Sequence, residues 1–105
     1  MNRFLFIDDI RNHFFNEKIG NIDVAKNYNQ AIDFLNKYKY DIVSFDHDLG
    51  EDKTGYDIAK YIVENNIQIG QFYIHSANPV GKNNIRQLLL HYGYAEYWFF
   101  KKFII

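Results

Sequence analysis

The chain has 105 residues and no cysteine, so a single domain over residues 1–105 is expected, without a disulfide framework, a thiolate metal site or a cysteine nucleophile. Hydrophobic residues make up 48% and aromatics 19%, which is enough for one modest core and excludes a disordered chain. The 12 basic and 13 acidic residues leave a net charge of −1, without the basic excess that duplex DNA binding requires.

Two hydrophobic periods alternate along the chain. Phe4-Leu5-Phe6-Ile7 is a short apolar run closed by Asp8-Asp9, which predicts a buried strand. It is too short for a signal peptide, and no run reaches the length of a membrane span, so a cytoplasmic protein is expected. A helix is expected between Asp9 and Gly20, although that stretch has no clean apolar stripe. Ile22-Asp23-Val24-Ala25 is a strand candidate. Asn29-Gln30 opens a helical segment with Ala31, Ile32, Leu35 and Tyr38 on one face.

Asp41-Ile42-Val43-Ser44-Phe45 reads as another buried strand, closed by Asp46-His47-Asp48. The loop from Gly50 to Gly55 is either an ordinary turn or a cover over a site. Thr54-Gly55-Tyr56-Asp57 has the form of a capping box, and Ile58, Ala59, Ile62 and Val63 then mark a helix face. Phe72-Tyr73-Ile74 is a strand closed by His75-Ser76. Asn78-Pro79 can cap and start a helix carrying Ile85, Leu88, Leu89 and Tyr92, with Gly93 as its stop. Tyr97-Trp98-Phe99-Phe100 is a candidate last strand, and its aromatics also suit a homodimer contact.

Strands alternating with helices at this spacing predict an α/β fold, a doubly wound parallel sheet of five strands in flavodoxin-like order 2-1-3-4-5. Ligands in such sheets bind beyond the carboxyl ends of the strands, at the switch point. Strands 1, 3 and 4 are then neighbours about 4.8 Å apart. Asp8-Asp9, Asp46-His47-Asp48 and His75-Ser76 therefore converge on one pocket. Up to four carboxylates that close repel one another unless a cation intervenes, which points to a hard divalent metal, Mg2+ or Mn2+. Histidines beside it add proton transfer. The run from Ser76 to Asn84 leads into a helix N-terminus with polar side chains and Lys82, where a phosphate would be favoured.

Each element has a plainer reading: Asp8-Asp9 could cap a helix, and His75 alone could be a satisfied surface histidine. His13 and His91 lack such company.

These residues resemble the response-regulator receiver domain. Asp8 and Asp9 look like its acidic pair, Asp46 stands where its phosphoacceptor would be, and Ser76-Ala77 matches the hydroxyl position after strand 4. Lys101 or Lys102 would be its lysine. A more specific resemblance is to a divergent branch, the cyclic-phosphate processing receiver-like family. It is carried by Phe6-Ile7-Asp8-Asp9-Ile10-Arg11, Ser44-Phe45-Asp46-His47-Asp48-Leu49-Gly50, Thr54-Gly55-Tyr56-Asp57 and His75-Ser76-Ala77-Asn78-Pro79-Val80-Gly81-Lys82. The resemblance implies phosphoester chemistry on a small cyclic nucleotide or an RNA 2′,3′-cyclic end.

Against the ordinary receiver, this chain adds His47 and His75, and it ends soon after Lys102, so the last receiver helix is expected to be absent. The expected activity is metal-dependent hydrolysis of a cyclic phosphodiester. In that reading Asp8, Asp9 and Asp46 hold the metal, Asp46 also taking part in the chemistry, His47 and His75 handle protons, Asp48 orients a histidine or ligates the metal through water, and Ser76, Asn78, Lys82 and Lys101 hold phosphate. Two alternatives stand beside it: a stand-alone receiver phosphorylated on Asp46, and a non-catalytic binder of a cyclic nucleotide or a partner. The asparagine- and lysine-rich, proline-poor composition suits an AT-rich bacterial or phage genome.

Overall fold

The apolar runs form strands and the helically spaced segments form helices. The structure, a computed structural model, describes residues 3–9 and 21–97. Along the chain it has β1 (Arg3–Ile7), β2 (Asn21–Ala25), α1 (Tyr28–Lys37), β3 (Tyr40–Phe45), α2 (Gly55–Glu64), β4 (Ile69–Ile74) and α3 (Pro79–His91). Each helix has a local start signal. Asn27 accepts a hydrogen bond from the Gln30 N–H at 2.9 Å, so α1 begins one residue before the expected Asn29-Gln30. Asp57 accepts from the Thr54 N–H at 2.8 Å, one half of the capping box that opens α2. Asn78 accepts from the Gly81 N–H at 3.0 Å, with Pro79 at the first helical position of α3. Gly93, at φ 90°, follows α3 in the left-handed region that a residue with a Cβ rarely adopts.

The four strands form one parallel sheet in the order β2-β1-β3-β4. This corrects the expectation of five. Beside β4, where the fifth would lie, the described residues make a single bridge between Phe72 and Glu96. The Phe72 N–H donates to the Ala95 carbonyl at 2.9 Å, and the Tyr97 N–H donates to the Phe72 carbonyl at 2.7 Å. Pairing starts only after Gly93 has turned the chain, so one ladder step is formed by Tyr97. Trp98, Phe99, Phe100, Lys101 and Lys102 lie outside the described residues, as do the expected absence of a last helix and the helix expected before Gly20.

The connections β2-α1-β3 and β3-α2-β4 step the same way across the sheet, so right-handed crossovers place both helices on one face, and α3 packs beside α2. Leu5, Ile7, Val43, Phe45, Phe72 and Ile74 point to that face and are buried, with Ile58, Ile62, Ile85 and Leu89 among the helix residues that meet them. Burial of each such side chain stabilises the fold by about 1.5–3 kcal/mol. Alternation sends Phe6, Ser44 and Tyr73 to the other face, where they stand in one row, since Phe6 pairs with Ser44 and Ser44 with Tyr73. Two residues further along the same three strands are Asp8, Asp46 and His75.

Candidate functional site

The period of two that buries the core also gathers the first group of polar residues. Asp8, Asp46 and His75 leave adjacent strands on the same side, and one ligand atom from each lies within 4.8 Å of the others. His75 is fixed at both ring nitrogens. Its Nε2 lies 3.1 Å from Asp8 Oδ2, and its Nδ1 lies 2.7 Å from Ser44 Oγ. The ring stacks on Phe6, with centroids 4.4 Å apart and planes 7° from parallel. Main-chain bonds seat the strand ends: the Asp46 N–H donates to the Ile7 carbonyl at 3.0 Å, and the His75 N–H to the Phe45 carbonyl at 3.0 Å.

Electrostatics in this group follow from burial and like charge. Burial raises the Asp46 pKa, and the neighbouring Asp8 carboxylate raises it further; His75, the Asp48 backbone and the Ser76 hydroxyl partly offset this. Burial lowers the His75 pKa, opposed by Asp8 and Asp46, so the imidazole is neutral at pH 7. A neutral imidazole beside two carboxylates leaves a concentration of negative charge that a cation would relieve.

The second histidine belongs to another group. β3 ends at Phe45, yet alternation carries on for two residues and sends His47 toward the helix-covered face. There its ring packs on Gly81 in the first turn of α3, so closely that a Cβ on residue 81 would overlap it. His47 Nδ1 lies 2.9 Å from Asp48 Oδ1, and the Asn78 side chain lies 3.3 Å from Asp48 Oδ2. The exposed Asp48 carboxyl is held below its ordinary pKa by the bond to His47 first and to Asn78 second. His47, Asp48 and Asn78 thus tie the loop after β3 to the start of α3.

Ser76 stands between the two groups. It is nearly buried, lies beside Asp46, and its Oγ accepts from the Asn78 N–H at 3.1 Å. Lys82 is half-buried in the first turn of α3 and makes no ion pair among the described residues. Asp9 is exposed and stands apart from the Asp8–Asp46–His75 group, with its carboxylate against Gly50, whose φ is 66°. The 50–55 loop leans on α1: Glu51 accepts from the Tyr28 N–H at 2.8 Å, and the Lys53 ammonium sits over the Tyr28 ring. Lys101 lies outside the described residues. Ser44 was not foreseen as a site residue. Its signal was a lone hydroxyl within the apolar run Ile42–Phe45, where a polar atom needs a partner.

Comparison with known proteins follows the same lines. The family description Cyclic-phosphate processing Receiver domain matches residues 3–91. No curated protein matches the chain. Among solved structures, the chain is similar to a fusion bearing the yeast Spc42 trimeric coiled coil, with a TM-score of 0.59 and 19% identity over 83% of this chain. The match spans 63% of that structure's chain, and at this identity it speaks for the fold alone. The family match covers β1 to α3 and includes every described strand-end acid and histidine of the pocket, so the chain belongs to the cyclic-phosphate processing receiver domain family.

Proposed function

We propose that the chain is a metal-dependent phosphoesterase that opens a cyclic phosphate, on an RNA 2′,3′-cyclic end or a cyclic nucleotide. The observation that carries this reading is the convergence of Asp8, Asp46 and His75 at the switch point, within reach of one ion. Two carboxylates and an imidazole fit Mn2+ better than Mg2+, which prefers oxygen donors alone. When bound, the cation would supply positive charge to the phosphate oxygens.

The chain's own groups divide the remaining work. His75 stands with the two carboxylates, whereas His47 lies on the helix-covered side, where its part is to tie the loop after β3 to α3. The attacking water gives its proton to bulk water. Water oxygen bonds to phosphorus, the P–O bond to one ribose oxygen breaks, that oxygen takes a proton from solvent, and the product is a phosphomonoester. Ser76, Asn78 and Lys82 line the α3 side, where a helix N-terminus favours an anion.

The test is a panel of 2′,3′- and 3′,5′-cyclic phosphates, with Mn2+, with Mg2+ and with chelator. Turnover of at least one that is lost on chelation is expected, and recovery of every compound intact would refute the reading. A second reading, phosphorylation of Asp46, is supported by the Ser76 hydroxyl beside that carboxyl. It predicts that a small phosphodonor labels the protein and that Asp46→Asn abolishes the label.

A further inference from the structure

His75 presents an unresolved choice of proton. Its Nε2 faces the Asp8 carboxylate, which only accepts, while the cation of the proposed function would need the same nitrogen's lone pair. The two requirements call for opposite tautomers. On the far side of the ring, Nδ1 meets Ser44 Oγ at 2.7 Å. A hydroxyl both donates and accepts, and it can rotate between the two roles without moving its oxygen. The ring's other contacts among the described residues lack that freedom: Asp8 accepts only, and Phe6 stacks on the ring face.

We propose that Ser44 is a positioning residue that lets His75 exchange tautomers when the cation binds. This rests on the assignment of the cation to Asp8, Asp46 and His75. Without the ion, Nε2–H donates to Asp8 and the Ser44 hydroxyl donates to Nδ1. With the ion, Nε2 offers its lone pair, the proton resides on Nδ1, and Ser44 Oγ accepts it. No proton is gained or lost by the ring overall, and the oxygen and ring stay where they are. Outer partners of ligating histidines are commonly worth 10- to 100-fold in metal affinity. Phe6 and Ser44 are register partners on β1 and β3, so the sheet itself holds stack and hydroxyl at fixed positions around the ring.

Ring-nitrogen NMR on labelled protein tests this, with Zn2+ as a diamagnetic probe and His75→Gln to assign the signal among the four histidines. Expected is an Nε2-protonated His75 in free protein and an Nδ1-protonated ring after Zn2+. Ser44→Ala should weaken Zn2+ binding about 10- to 100-fold, and Ser44→Thr, which keeps the hydroxyl, should restore most of it. Thermal unfolding without metal separates this from misfolding, since both variants should retain a cooperative transition. A free protein already protonated at Nδ1, or a Ser44→Ala variant binding Zn2+ as tightly as wild type, overturns the proposal. If Zn2+ perturbs neither His75 nor the Asp8 and Asp46 carboxyl signals, the cation assignment itself fails and the proposal falls with it.

Discussion

Gly81 offers a prediction whose sign depends on a second residue. It is the third residue of α3, and its N–H is bonded by Asn78. A Cβ there would lie 2.5 Å from His47 Cδ2 and 2.7 Å from Nδ1, below the 3.0 Å that real Cβ atoms respect. Two effects oppose each other in Gly81→Ala. Helix propensity favours alanine by up to about 1 kcal/mol, and overpacking costs about 1–3 kcal/mol. The clash should win, for a net loss on the order of 1 kcal/mol. In a His47→Ala background the ring is gone and only the propensity gain remains, so the same substitution should stabilise by roughly 0.5–1 kcal/mol. Urea unfolding of the four proteins at constant pH gives the cycle, with an expected coupling near 2 kcal/mol. Equal effects of Gly81→Ala in both backgrounds would refute the packing of His47 on α3.

Four further outcomes follow from the same contacts. Gly55→Ala should destabilise more than Gly81→Ala, because its Cβ would meet the Asp46 backbone carbonyl, which cannot swing aside as a ring can; urea midpoints compare the two. Arg86→Ala should cost about 2–4 kcal/mol, since it strips both nitrogens from the buried Glu96 carboxylate, and Arg86→Lys should not restore the paired geometry in thermal unfolding. Asp46→Asn should leave metal-free protein at pH 7 at least as stable as wild type, because burial and Asp8 both disfavour its charge. It should also remove the stabilisation by saturating Mn2+, about 2.7 kcal/mol at 100 times Kd, read by calorimetry. His75 has a folded pKa below its ordinary 6.5, so the unfolded chain takes up that proton first. Its contribution is complete above about pH 6.5 and falls as acid approaches the lower folded value, and His75→Gln should flatten that part of the pH–stability curve.

How much of this was legible in the sequence depends on the kind of signal. Strand runs and caps are local, so Asn78-Pro79 and Thr54–Asp57 announce α3 and α2 without tertiary help. Strand ends were legible too, because acids and histidines that interrupt apolar runs must lie at the carboxyl edge of a parallel sheet. The partition of the two histidines was harder to see. It turns on whether alternation persists past Phe45, in which case the strand period alone sends His47 away from Asp46, and on a glycine at position 81 that leaves room for the ring. Asp9 looked equivalent to Asp8, but it stands in the bend after β1, where its carboxylate meets Gly50. The expected fifth strand falls mostly on residues 98–100, outside the described residues, and the described chain shows only the bridge at Glu96 beside β4. Ser44 was missed because its importance comes from two strands away, at His75.

The central claim is that Asp8, Asp46 and His75 hold a cation that turns this pocket into a cyclic-phosphate hydrolase. Phosphorus NMR of a 2′,3′-cyclic nucleotide, incubated with protein and Mn2+ in heavy-oxygen water, tests it most directly. The account predicts a phosphomonoester carrying one heavy oxygen, formed by wild type, abolished by chelator and lost in Asp46→Asn and His75→Gln. A cyclic phosphate that stays intact under all these conditions, or one opened equally fast by the two variants, would contradict it.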